Sequence, residues 1–125
     1  MFCPVEVKRT DNSWDEAVLQ LAVWQSSHFA FMTSKGSLPS PLALQIGFVV
    51  FGETWKVYIC QSISSSQGDE VKLWEQIPVR VGLGDFDRAL KLLAVLRATL
   101  RWAAETHVPA FEQLLSQNTT DARYA

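Results

Sequence analysis

The chain has 125 residues, of which 48% are hydrophobic and 19% charged, with a formal net charge of −2. That length and apolar content suit one domain with a small core, while the charge balance excludes a broadly basic nucleic-acid-binding module. Two cysteines, Cys3 and Cys60, are too few for a disulfide framework, and no run approaches the ~20 apolar residues of a membrane span.

The thiols read as free and mostly buried, as in a reducing compartment. Zinc is not expected, because His28, His107 and the cysteines lack ligand spacing. The N-terminus shows no charged region followed by an apolar run, so no signal peptide is read there. The expectation is an intracellular protein, cytoplasmic or nuclear, with no membrane partner.

Pro4 leads into a first strand, Val5-Glu6-Val7-Lys8-Arg9. Alternation puts Val5 and Val7 on one face and Glu6 and Lys8 on the other. Thr10-Asp11-Asn12 breaks the strand, and Ser13 with Glu16 has the spacing of a capping box. The helix that follows runs from Trp14 to about Thr33 and stops near Gly36. Its apolar face holds Trp14, Ala17, Val18, Leu21, Phe29 and Met32. Gln20, Trp24 and Phe31 form a shoulder beside that face, with Glu16 further out. His28 lies near the apolar face and reads as a hydrogen-bonded core histidine.

A turn-rich loop, Ser34 to Pro41, leads to a strand over Leu42 to Phe51 that is apolar almost throughout, which suits burial on both faces. Strand, helix, strand implies a right-handed crossover and a parallel pair. Gly52-Glu53 reads as a tight hairpin turn, followed by a strand over Thr54 to Ile63. Ser64 to Asp69 reads as a polar loop and Glu70 to Ile77 as an edge strand ending at Pro78, with Arg80 to Gly84 irregular. Asp85 is a candidate N-cap for a helix over Phe86 to about Glu105. The apolar face of that helix is Ala89, Leu92, Leu93, Leu96, Leu100 and Ala103. Pro109 kinks or ends it, leaving His107 exposed. Ala110 to Gln117 forms a last helical piece, and Asn118 to Ala125 a frayed tail. The whole is one α/β domain over residues 1–125, a small mixed sheet in the order β-α-β-β-β-α.

Glu6 and Lys8 carry the chemistry. A carboxylate binds a hard divalent cation, and a lysine beside it orients or polarises a water. On an ordinary strand the same two residues form a surface ion pair. Here a Glu-x-Lys strand, Glu6-Val7-Lys8-Arg9, is followed by Trp14-Asp15-Glu16-Ala17 and Gln20-Leu21-Ala22-Val23-Trp24-Gln25. That combination resembles the catalytic half of a PD-(D/E)XK nuclease domain, in particular a nuclease-like family common in uncharacterised fungal proteins. The likeness continues through Leu38-Pro39 and the Gly52 to Trp55 hairpin.

The resemblance implies a metal-dependent phosphodiesterase acting on DNA, with Mg2+ or Mn2+ as cofactor. It makes Glu6, Lys8 and Gln20 the catalytic residues, with Glu6 and the backbone carbonyl of Val7 as metal ligands. A core of this kind starts with a helix and two strands, one of which carries another acidic ligand. The chain begins at the Glu-x-Lys strand, so it resembles a truncated core, and weak metal affinity and poor activity are expected. Glu16 is the nearest acid able to compensate. The alternative is a non-catalytic module that keeps the fold for interaction or self-association. A homodimer through the unpaired first strand is expected, since an apolar strand edge without a partner is a liability. Arg97 and Arg101, one turn apart on the second long helix, are candidates for nucleic-acid binding; otherwise they form a solvated stripe whose stems cover apolar surface.

Overall fold

The structure, a computed structural model, describes residues 3–8, 14–75 and 81–124, with backbone alone for 118–124. Strand β1 (Val5–Lys8) is followed by helix α1 (Trp14–Ser34) and a single 3-10 turn at Ser40–Leu42. Strands β2 (Leu44–Phe51), β3 (Thr54–Ser65), β4 (Gly68–Glu75) and β5 (Val81–Gly82) come next. Helix α2 (Phe86–Trp102) then passes through a π-helical turn, Ala103–His107, into α3 (Val108–Tyr124).

This is a mixed α/β architecture, with strands in the order β1-β2-β3-β4 and β5 pairing β3. β1 and β2 run parallel, as a strand–helix–strand crossover requires, and the remaining pairs are antiparallel. Two packed layers flank the sheet. On one face Val49, Phe51, Tyr58 and Cys60 meet Ala17, Leu21, Phe29 and Met32 of α1 and Leu114 of α3. On the other face Phe48, Val57 and Val81 meet Leu92 of α2. Among the described residues no helix is long and apolar enough to cross a membrane.

Two glycines set the geometry near the site. At Gly47 a Cβ would come within 2.7 Å of Leu21 Cδ1, so its absence lets α1 settle onto β2. Gly52 has φ +55°, the left-handed conformation the β2–β3 turn needs.

Several expectations are corrected. The serine-rich stretch is strand and tight turn rather than loop: β3 runs to Ser65, β4 starts at Gly68, and the ladder pairs Ser65 with Gly68. An antiparallel ladder asks only for backbone groups, which serines supply as well as valines. Val81 and Gly82, expected to be irregular, pair with Trp55 and Thr54. On α2, Leu93 and Leu100 are exposed while Thr99 is buried, its hydroxyl donating to the Val95 carbonyl at 2.9 Å. The buried stripe is therefore centred on Leu92, Thr99 and Ala103.

Pro109 does not end the helix. The π turn just before it widens the backbone where a proline cannot take the usual helical hydrogen bond. The helical backbone then continues as far as Tyr124. His107 is buried rather than exposed, stacked on Phe111 and packed on Trp102. The Nε2 of His28 is buried without the expected hydrogen-bond partner, and its ring faces those of His107 and Phe111. The capping role of Ser13 and the structure of Arg9 to Asn12 lie outside the described residues.

Candidate active site at the first strand

Register fixes which way the first strand looks. Val5, Glu6, Val7 and Lys8 lie beside Phe48, Val49, Val50 and Phe51 of β2. Glu6 and Lys8 therefore share a face with Val49 and Phe51, the face covered by α1, and Val5 and Val7 share the face of Phe48. Alternation on a short strand thus delivers both polar side chains to the foot of the helix, where each is largely covered. Their side chains are 22% and 19% exposed, and Lys8 Nζ lies 3.6 Å from Glu6 Oε1.

A third group joins them. Lys8 Nζ donates to Glu16 Oε1 at 3.4 Å, so one ammonium stands within reach of two carboxylates. Glu16 occupies the first turn of α1, where a negative charge also meets the positive end of the helix dipole. Gln20 follows one turn later, half-buried, with its Oε1 buried and lacking a partner. Trp24, a further turn along, lines a cleft of about 160 Å³ with Leu21, Pro4, Val5 and Glu6.

The backbone adds a donor set of its own. Phe48 N–H donates to the Pro4 carbonyl at 3.0 Å. In a parallel ladder this means that Pro4, Glu6 and Lys8 turn their backbone groups toward β2. Val5 and Val7 turn theirs the other way, toward the edge of the sheet. The Val7 carbonyl thus opens outward, and among the described residues no strand pairs with that edge.

The sequence did not single out Lys56. It stands on the same face of the sheet as Glu6, beyond Val49, with its ammonium 4.2 Å from the Trp14 ring centroid and 3.3 Å from Glu75 Oε1. Trp14 packs against Phe51 at 3.7 Å between ring centroids. A lysine set among alternating strand residues carries no signal in the sequence; only the register places it beside the first turn of α1. Arg97 and Arg101 are not brought to this site. They are exposed on α2, which packs on the opposite face of the sheet.

The fold is a mixed α/β domain whose parallel strand pair presents a Glu-x-Lys couple beneath the first turns of a helix. The chain belongs to the PD-(D/E)XK nuclease superfamily, whose family model matches residues 1–108. No curated protein and no solved structure matches it. Nucleases of this superfamily generally use divalent metals. The Glu6 carboxylate and the outward Val7 carbonyl suit a hard cation in kind, both being oxygen donors, while the Gln20 amide oxygen is buried and unpartnered on α1. Their number is small, and among the described residues no group of three His, Cys, Asp or Glu side chains gathers to hold a metal.

Proposed function

We propose that this chain is a low-activity, metal-dependent phosphodiesterase with DNA as its substrate. The observation that carries the reading is the placing of Glu6 and Lys8 on one covered face at the foot of α1, 3.6 Å apart. Glu6 and the Val7 carbonyl would hold Mg2+ or Mn2+, and the ion would supply Lewis acidity that lowers the pKa of a water. Lys8 orients the attacking water and faces the charge that develops on the phosphate oxygens. Glu16 keeps the ammonium on station, and Gln20 assists by accepting a hydrogen bond from water through its free Oε1. With Glu6 the one carboxylate assigned to the ion among the described residues, weak metal affinity and slow turnover are expected.

The test uses the purified chain with plasmid and with single-stranded DNA, in magnesium or manganese, beside Lys8→Ala and Glu6→Gln. Cleavage that requires metal and falls by roughly 100-fold or more in either variant supports the reading. Equal background in all three proteins removes it. A second reading, a non-catalytic module that retains the fold, is favoured by the sparse ligand set. Equal background with unchanged folding in the variants is its expected signature.

A further inference from the structure

We propose that the outer edge of β1 pairs antiparallel with β1 of a second copy of this chain, centred on Val7, so that Glu6 of each copy lies opposite Lys8 of the other. Three observations converge on it. The first is the direction of the backbone. Val5 and Val7 turn their N–H and C=O groups to the edge that no strand among the described residues pairs with, because Pro4 and its alternate neighbours are engaged with β2. A Val7 facing its own counterpart across a two-fold axis exchanges two N–H···O bonds, which is the hydrogen-bonded type of antiparallel pair.

The second is charge. A two-fold axis perpendicular to the sheet keeps each face on its own side, so opposed residues must come from the same face. Only two such registers keep the four-residue strands well overlapped. One sets Glu6 against Glu6, a repulsion. The other, centred on Val7, sets Glu6 against Lys8 twice, an attraction. Charge complementarity therefore selects one register for a strand whose own sequence is Val-Glu-Val-Lys.

The third is the apolar surface on both sides of the edge. Val5 and Val7 are 48% and 66% exposed on the α2 side of the sheet. On the α1 side Trp24, 55% exposed, borders the cleft that runs past Pro4, Val5 and Glu6. A second copy covers both flanks as it satisfies the backbone, which an isolated ion pair or a bound anion does not do. The pairing joins two sheets into one and brings a lysine of the other copy beside each Glu6. It draws on Glu6 and the outward Val7 carbonyl, the groups assigned above to the metal, and its test reads mass rather than cleavage.

The experiment measures mass by sedimentation equilibrium for the full chain, with folding checked by circular dichroism. Wild type is expected to be a dimer. Glu6→Lys alone and Lys8→Glu alone each put like charges opposite one another and should weaken dimerisation by about tenfold or more. Mixed in equal amounts, the two variants face each other with opposite charges and should recover the dimer. The double variant Glu6→Lys with Lys8→Glu should recover it as well. Val7→Pro removes an outward N–H that β2 does not use and should give a folded monomer. A wild-type monomer at high concentration overturns the proposal, whether or not it captures an extended peptide. So does a dimer indifferent to both single charge reversals. Loss of the dimer in both with no recovery on mixing or in the double variant equally counts against this register. If a single variant fails to fold, the double variant and Val7→Pro still decide.

Discussion

Lys8 is the residue on which the candidate site turns. Its stem is covered by the first helix and its ammonium is shared between Glu6 and Glu16. The two contacts differ in consequence. Glu6 is largely covered, so deleting it leaves an ammonium short of its nearer-buried partner. Glu16 is 62% exposed and its ion pair is screened by water. Glu16→Ala is therefore expected to change unfolding free energy by no more than about 0.5 kcal/mol, read from a urea titration. Its effect on cleavage is the informative one: under the proposed mechanism it loosens Lys8 and lowers turnover while the fold is untouched.

The thiols answer to the same logic of covering. Burial pushes Cys3 up to about 11 and Cys60 up to about 12, so neither presents a thiolate near neutral pH. Slow alkylation of both in the native protein, and fast alkylation in denaturant, is the expected pattern. Tyr58 shifts upward as well, by burial and by the neighbouring Glu75.

Between elements, the closest approach is that of α1 to β2. Leu21 packs where Gly47 has no side chain, and a Cβ there would stand 2.7 Å from Leu21 Cδ1. Gly47→Ala should destabilise the domain by roughly 1–3 kcal/mol, as overpacking does, with a matching fall in the thermal midpoint. Leu21→Ala should cost less in the Gly47→Ala background than in the wild type, since the added methyl fills part of the space the leucine leaves.

The π turn between α2 and α3 carries a pH dependence. It buries His107 against His28, Trp102 and Phe111. Burial, and then the neighbouring His28, lower His107 to about 4, and burial lowers His28 as well. Unfolded, both rings titrate near 6.5. In the interval the unfolded chain binds more protons than the folded one, so stability falls as the pH drops from about 6.5 toward 4 and is level above that window. Urea midpoints at pH 7.5 and pH 5 should differ in this sense. His107→Phe, which keeps the ring stack, should narrow the difference.

At the scale of the molecule, one nearly continuous helix, α2 to α3, contributes to the core on both faces of the sheet. α2 covers the face of Phe48, and past the π turn α3 reaches the other face, where Leu114 joins the core of α1. Leu114→Ala should cost about 2–5 kcal/mol, the range of a buried leucine truncated in a packed core. The family model matches residues 1–108, which stops at the start of α3. A chain cut after residue 108 is accordingly expected to lose its cooperative thermal transition, followed by circular dichroism.

The strand–helix–strand order, the alternation of Val5 and Val7 against Glu6 and Lys8, the hairpin at Gly52 and the capping by Asp85 were legible because each is a local rule. Period, a glycine turn and a short polar cap act over a few residues. Asp85 indeed accepts from Arg88 N–H at 2.8 Å. What alternation cannot say is which face a second layer will cover. The partnership of Lys8 with Glu16, the setting of Lys56 against Trp14, the exposure of Leu93 and Leu100 and the burial of His107 were decided only when register and helix rotation brought distant segments together. Those outcomes depend on contacts between residues far apart in the chain, and no local pattern encodes them.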